Sequence, residues 1–301
     1  MRIGTRGSLL AMTQARIVAE ALQERRPDLA VELAPIKTAG DRFQKEPLAD
    51  IGGKGLFVKE IEEALLAGEI DCAVHSLKDM PAELPRGLRL AAVPRREDPR
   101  DVLVSHGKQI LAELPPGARI GTGSLRRAMQ LLRFNGSFRI IPVRGNLDTR
   151  LKKAESGELD AVVAAAAGLK RMGWTDRITQ RLPEDIMLPA AGQGALGIEI
   201  REDDHILIDL ANRVDHDDSH REVEAERAFI RILGGGCHAP VAALAKVMGE
   251  RLLLRASVGT RDGRRVIDDE IEGDRRKAAD LGAELAERIV SMGARDLLLE
   301  E

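Results

Sequence analysis

Two stretches of this chain open with the same succession of residues, and the repetition narrows the choice of fold. The first, RIGTRGSLLAMTQ, starts at Arg2, and the second, RIGTGSLRRAMQ, starts at Arg119. Each is typical of a strand that ends in Gly-Thr, a turn of small residues and a helix. A match this short is also compatible with chance. We expect two similarly built domains, each aiming a helix N-terminus at a shared cleft.

Strand-like and helix-like segments alternate around both openings. After the first opening come the strand LAVELAPIK, a helix that stops near Gly68, and the strand IDCAVHS. Such alternation predicts a mostly parallel sheet covered by helices on both faces. Prolines and charges cluster at residues 94–99, which is typical of a crossing between domains.

The last third of the chain changes character. The stretch LPAAGQGALGIEIRE carries a Gly-rich turn and a strand that we expect to return to the first domain. From about residue 217, a helix, a Gly-rich loop, two strands and a final helix predict a small α+β domain. The predicted fold class is α/β, with two α/β domains around a cleft and a small C-terminal α+β domain. The expected boundaries are 1–94 with 190–212, 95–189 and 213–301.

Composition excludes several classes of protein. Lys and Arg number 46 against 49 Asp and Glu, and aromatic residues are only 2%. A chain without excess positive charge or stacking side chains is a poor nucleic-acid binder, so we expect no nucleic-acid partner. The longest apolar runs fall well short of the roughly 20 residues that cross a bilayer. The start MRIGTRGS lacks the pattern of a signal segment, so we expect a cytoplasmic protein without a membrane partner.

Arginines collect in the turns that follow predicted strands. Arg6 follows the first strand, and Arg126 and Arg127 lie in the first turn of a helix. Cations there oppose the helix dipole, and a bound anion would relieve the conflict. Because guanidinium groups bind carboxylates through paired hydrogen bonds, the predicted ligand carries several acidic groups. The alternative is a set of solvated arginines paired with nearby acids. Other members of the predicted anion site are Arg144, Arg150 and the hydroxyls of Ser8, Thr122 and Ser124.

The segment HSLKDMP, residues 75–81, ends an apolar strand in a turn. It places Lys78 and Asp79 just before Pro81. An acid at the carboxyl end of a parallel strand is well placed for proton transfer and for stabilising a cation. The alternative is an ion pair in a loop, with His75 satisfied at a strand edge. Neither GxGxxG nor GxxxxGK[ST] follows the opening strands, which disfavours ATP or NAD as the ligand.

Of the two cysteines, Cys72 lies in an apolar strand, where a structural thiol is expected. Cys237 instead follows three glycines in ILGGGCHAP, and glycines allow close approach by a bulky group. The spacing of the cysteines predicts neither a disulfide scaffold nor a metal site. A nucleophile would need a nearby base, and no thiol-enzyme signature surrounds it. A covalent anchor is left by elimination.

Nine motifs resemble the porphobilinogen deaminase family, in order and across almost the whole chain. They are RIGTRGS, GGKGLFVKE, AVHSLKDMP, REDPRDVLVS, IGTGSLRR, VRGNLDTR, AVVAAAAGLKRMG, LPAAGQGALGIE and GGGCHAP. The resemblance implies two domains like the lobes of periplasmic binding proteins, followed by a third. It also implies a cytoplasmic transferase of tetrapyrrole and heme synthesis, which we expect to be a monomer.

The resemblance further implies a mechanism. A dipyrromethane cofactor is bound to Cys237 by a thioether, four porphobilinogen molecules are added in succession with loss of ammonia, and the linear tetrapyrrole hydroxymethylbilane is released by hydrolysis. Asp79 corresponds to the catalytic acid. The matched cofactor-binding residues are Ser76, Lys78, Thr122, Ser124, Arg126 and Arg127. The matched substrate-binding residues are Arg6, Ser8, Lys54, Arg144, Arg150 and Arg171.

Three positions depart from the family pattern. Asp50 and Asp148 introduce carboxylates, and Gly123 stands where a hydroxyl is frequent. The extra carboxylates would weaken binding of an anionic chain unless they pair with a neighbouring Arg. A second hypothesis of a different class is a two-lobed anion-binding or sensor module without chemistry. The third domain and Cys237 argue against it.

Overall fold

The computed structural model describes residues 1–39, 58–234 and 239–299. The chain forms two compact units. Unit 1 is Met1–Glu97 with Gly194–His220, and unit 2 is Asp98–Gln193 with Arg221–Glu301. None of the helices in these described ranges combines the length and apolar character needed to cross a membrane. The boundaries expected for three domains stay a prediction.

Strands and helices alternate through most of the described chain. The strands are β1 (Arg2–Arg6), β2 (Glu32–Ile36), β3 (Cys72–Ser76), β4 (Leu88–Ala92), β5 (Asp101–Ser105), β6 (Arg119–Gly121), β7 (Arg139–Ile141), β8 (Ala161–Ala165), β9 (Gln180–Arg181), β10 (Leu196–Arg201), β11 (Val241–Met248), β12 (Arg251–Gly259) and β13 (Val266–Asp274). The helices are α1 (Leu9–Arg25), α2 (Lys59–Leu66), α3 (Leu125–Phe134), α4 (Leu147–Glu155), α5 (Ala166–Arg171), α6 (His205–Asn212), α7 (Asp217–Leu233), α8 (Ala278–Ser291) and α9 (Ala294–Leu299).

Unit 1 is built on a five-stranded sheet with the order β2-β1-β3-β10-β4. Strands β1, β2 and β3 are parallel, and β10 runs antiparallel to both β3 and β4. The strand in LPAAGQGALGIEIRE therefore does return to the first sheet, as its position after a Gly-rich turn predicts.

Helices cover both faces of this sheet. Helix α1 buries Ala15, Val18 and Leu22, three to four residues apart, against one face. Helix α2 buries Ile61 and Leu65 against the other face. Each such side chain contributes about 1.5–3 kcal/mol when it is fully removed from water.

Unit 2 contains a second five-stranded sheet, with the order β7-β6-β8-β5-β9. Its first three strands are again parallel, β5 runs antiparallel to β8, and β9 antiparallel to β5. In both sheets the first strand of the βαβ series lies between the second and the third, and an antiparallel strand follows. The shared topology confirms that the two similar openings begin similarly built α/β domains.

A smaller antiparallel sheet, β11-β12-β13, also belongs to unit 2. Phe229 of α7, Leu254 of β12, and Leu285 and Ile289 of α8 form its core. This sheet confirms the α+β character expected of the C-terminal region. The predicted pair of strands was incomplete, because β11 precedes them.

Candidate functional site

In unit 1, the predicted residues lie at the carboxyl ends of two neighbouring parallel strands. Arg6 ends β1, and Ser8 caps helix α1, where its Oγ accepts a hydrogen bond from the Ala11 amide at 3.3 Å. Ser76 ends β3, which is paired with β1. The structure therefore brings these residues to one edge of the sheet.

Lys78 and Asp79 lie on a single 3-10 turn, Leu77–Asp79, directly after β3. Both are half-buried, whereas the flanking Leu77 and Met80 are buried. The Leu77 amide donates to Ala195 O at 3.1 Å, and the Met80 amide closes the turn on Leu77 O at 3.1 Å. Two apolar anchors and two backbone bonds thus fix the turn that carries the predicted acid.

Gly197 of β10 leaves room for those anchors. A Cβ atom at this position would lie 3.1 Å from Sδ of Met80 and 2.9 Å from Cδ1 of Leu90. It would also lie 3.4 Å from Cδ1 of Leu77. A side chain here would push against both residues that flank Lys78 and Asp79.

His75 is not at a strand edge, because β3 lies between β1 and β10. Its Nε2 lies 2.9 Å from Oε2 of Glu199, and both side chains are buried. The alternative reading of His75 as an edge residue is wrong. Its partner comes from a strand more than 120 residues later, which is why local sequence could not identify the pair.

In unit 2, the same type of turn follows β6. Thr122 is buried, and its Oγ1 accepts from the Ser124 amide at 3.2 Å. Ser124 caps α3 as Ser8 caps α1, accepting from the Arg127 amide at 3.5 Å. The repeat thus extends to a serine at the start of both helices.

Arg126 and Arg127 share one buried carboxylate, that of Asp101. Arg126 Nη1 lies 2.8 Å from its Oδ2, and Arg127 donates to its Oδ1 from Nε at 2.9 Å. Burial lowers the pKa of Arg126, although Asp101 acts in the opposite direction. Two guanidinium groups against one carboxylate leave an excess of positive charge. Arg126 Nε is also buried without a hydrogen-bond partner among the described residues.

Sequence reasoning missed Asp101 and Gln193. The Gln193 side chain donates to Asp101 Oδ1 at 3.1 Å and to Pro99 O at 2.7 Å. Asp101 begins β5 in the motif REDPRDVLVS, but nothing in its spacing indicates that it faces arginines 25 residues away. Asp101 thus supplies, from within the chain, a negative charge that offsets the two cations at the helix N-terminus.

The remaining predicted cations of unit 2 follow β7 and β8. Arg144 is half-buried after β7, and Arg150 on α4 donates from Nε to Gly145 O at 2.8 Å. Arg171 is the last residue of α5, which follows β8. Since β6, β7 and β8 are parallel neighbours, these turns begin at the same edge as Thr122.

Two of the departures from the family pattern have local explanations. Asp148 pairs with Lys152 at 2.7 Å and lies 3.7 Å from Arg177 Nη1. Hydrogen bonding to Lys152 lowers the pKa of Asp148. At Gly123, a Cβ atom would lie 2.9 Å from the Val143 carbonyl oxygen. Any side chain there requires a shift of the β7 turn.

Cys72 is buried in β3, and burial raises the pKa of its thiol to about 12. This agrees with the structural role expected for it. Lys54, Cys237 and Asp50 lie outside the described residues.

Comparison with known proteins gives matches over nearly the whole chain. Residues 1–209 match the family described as porphobilinogen deaminase, dipyromethane cofactor binding domain, and residues 220–291 match the porphobilinogen deaminase C-terminal domain. The chain is 55% identical to the porphobilinogen deaminase of Syntrophus aciditrophicus, covering 99% of this chain and 97% of the relative. It is 49% identical to that of Geobacter metallireducens, covering 100% and 94%.

Among solved structures, the periplasmic aliphatic sulphonate binding protein of Escherichia coli is 16% identical, with a TM-score of 0.41. The alignment covers 77% of this chain and 69% of that protein.

Proposed function

The chain belongs to the porphobilinogen deaminase family, and from this premise we propose that it joins four porphobilinogen molecules head to tail, with loss of ammonia, and releases hydroxymethylbilane by hydrolysis. Membership makes it a transferase of tetrapyrrole and heme synthesis with a dipyrromethane cofactor. The observation that carries the proposed reaction is the match to both family domains. The half-buried turn that holds Asp79 supports it. The sensor hypothesis has no comparable support.

We assign the acid chemistry to Asp79. Loss of ammonia requires a proton on the leaving amine, and a carboxyl group held at a strand end can donate it. The resulting carboxylate can then stabilise positive charge on the pyrrole while the new carbon–carbon bond forms. The anchored turn supports this role, because an acid must keep its position relative to the reacting atoms.

The arginine pair in unit 2 fits an anionic cofactor. Excess positive charge and the unpartnered Nε of Arg126 both favour a carboxylate nearby. When bound, dipyrromethane supplies the pyrrole end to which the growing chain is attached. We propose that Cys237 holds it through a thioether, and that its acetate and propionate groups are bound by Ser76, Lys78, Thr122, Ser124, Arg126 and Arg127.

Each porphobilinogen brings two further carboxylates, so the site needs additional cations. We propose that the incoming substrate and the growing chain are bound by Arg6, Ser8, Lys54, Arg144, Arg150 and Arg171. The placement of the described members at the carboxyl edges of the two sheets supports this assignment. We also propose that the protein acts as a cytoplasmic monomer of three domains, without nucleic-acid or membrane partners.

Intact-mass spectrometry tests the cofactor assignment. The purified protein should carry an added mass equal to two linked pyrrole units, and Cys237→Ser should lack it. Cys72→Ser is the matched control and should keep the added mass. The same adduct on Cys237→Ser would overturn the attachment site.

A further inference from the structure

Three ionisable side chains lie buried beside the strand that leads into the Asp79 turn. His75 and Glu199 are 5% and 0% exposed, and Glu62 of α2 is 7% exposed. In the antiparallel register Gly197 is opposite His75 and Glu199 is opposite Ala73. The side chains of His75 and Glu199 therefore lie diagonally on one face of the sheet, where their contact of 2.9 Å forms.

Helix α2 covers the same face of the sheet. Ile61 and Leu65 of the helix pack with Ala73, the residue opposite Glu199. The pKa of Glu62 is raised to about 7, chiefly by burial and also by Glu199, while His75 acts in the opposite direction. Glu63 on the same helix also raises the pKa of Glu62. These couplings bring Glu62 into one electrostatic cluster with His75 and Glu199.

The cluster has spare hydrogen-bonding capacity. Oε1 of Glu62 and Oε1 of Glu199 are both buried without a partner among the described residues. On β1, Arg2, Gly4 and Arg6 lie on the same face of the sheet as the cluster, because a Cβ atom on Gly4 would meet Ile70 on this side. No group of three or more described His, Cys, Asp or Glu side chains could hold a metal ion, so a metal does not explain the cluster.

Strand β10 and the residue before it contact the Asp79 turn. Leu196 pairs with Ser76, and the Leu77 amide donates to Ala195 O. Leu77 and Met80 lie where a Cβ on Gly197 would meet them. The contact of His75 with Glu199 adds a buried side-chain hydrogen bond to the backbone pairing of β3 with β10. It lies four residues before Asp79.

We propose that Glu199 is a positioning residue for Asp79: by holding His75, it fixes the end of β3 and therefore the orientation of the turn that carries the acid. The inference rests on the proposed role of Asp79. A displacement of about 1 Å at a catalytic group can cost on the order of 100-fold in rate, so a buried contact near the turn can control turnover without touching substrate.

Steady-state kinetics of the holoenzyme tests this role. Glu199→Ala should lower kcat for porphobilinogen consumption about tenfold or more, with KM within about twofold of wild type. Glu199→Gln keeps an oxygen that can accept from His75 and should restore kcat to within about threefold. The matched control is Glu202→Gln, an exposed acid just after β10, which should behave as wild type. Wild-type kcat in a folded Glu199→Ala variant would overturn the proposal.

Variants of His75, the partner of Glu199, test the proposal if Glu199→Ala does not fold. His75→Gln keeps a donor near the position of Nε2, whereas His75→Ala removes it. We expect the Gln variant to retain a kcat at least about fivefold higher than the Ala variant, and equal values would overturn the proposal. Asp79→Asn is assayed in parallel. Full activity of that variant would refute the proposed role of Asp79 itself, whereas a normal Glu199→Ala beside an inactive Asp79→Asn refutes only this inference.

Discussion

Arg127 donates through Nε to Oδ1 of Asp101 at 2.9 Å, and both side chains are buried in unit 2. Arg126 binds the other oxygen of the same carboxylate at 2.8 Å. A buried charge that loses its partner is strongly destabilising, because neither water nor another ion replaces the lost contact. The two arginines assigned to the cofactor therefore depend on one acid.

Asp101→Asn should destabilise unit 2 markedly. The substitution keeps the shape of the side chain but leaves two buried guanidinium groups without a counterion, so we expect a loss of about 3–5 kcal/mol in the free energy of unfolding. Urea unfolding followed by circular dichroism measures it. Asp160→Asn, which removes a more exposed partner of Arg119, is the control and should shift the midpoint much less. Equal midpoints for the two variants would contradict the prediction.

The stability of the protein should depend on pH through Glu62. Its pKa is about 7 in the fold against an ordinary value of 4.5, so folding favours the protonated form. The associated stability is complete below pH 4.5 and is lost as the pH rises through about 7, a change of about 3 kcal/mol. Glu62→Gln should lack this part of the pH dependence, measured as urea midpoints between pH 4.5 and 8.5.

Glu63→Gln is the matched control for Glu62, since Glu63 lies next to it on α2 but is exposed. It should keep most of the wild-type pH dependence. If Glu62→Gln and Glu63→Gln follow the same curve as wild type, Glu62 is ionised in the fold at neutral pH and the predicted coupling is absent.

Local sequence patterns predicted the two βαβ series, because hydrophobic periodicity and turn residues can be read from neighbouring positions in the chain. The equivalent starts at Arg2 and Arg119 identified two similar domains, and the structure gives both sheets one topology. The reversed direction of β10 was not predictable in this way. Strand direction depends on where a distant segment pairs, and periodicity carries no information about it.

In the candidate site, too, local sequence predicts some residues and misses those that depend on distant contacts. Asp79 and the arginines could be found, because charged residues that follow an apolar strand stand out in the sequence. Asp101 and Glu199 could not, since each begins or lies within an apolar strand and its partner is distant in the chain. Buried ion pairs of this kind are created by tertiary packing, so only the coordinates reveal which charges meet.

Asp79→Asn should abolish turnover while leaving the fold intact. The amide has similar shape but can neither donate the proton that the leaving amine requires nor carry the charge that stabilises a cationic pyrrole, so kcat should fall by at least about 100-fold. Release of hydroxymethylbilane by the variant measures this. Asp71→Asn, an acid just before β3, serves as the control for general effects on this part of the sheet. Near-normal release from Asp79→Asn would remove the residue from the mechanism.

Titration with a thiol reagent should distinguish the two cysteines. Burial raises the pKa of Cys72 to about 12, so very little of this thiol is ionised at pH 8 and the native protein should not react there. After denaturation, the loaded protein should show one thiol per chain, because a thioether at Cys237 blocks the other. Cys237→Ser should also show one, and Cys72→Ser none. If denatured protein that carries the dipyrromethane mass shows two reactive thiols, the cofactor is attached elsewhere. Rapid reaction of Cys72 in the native protein would contradict its burial in β3.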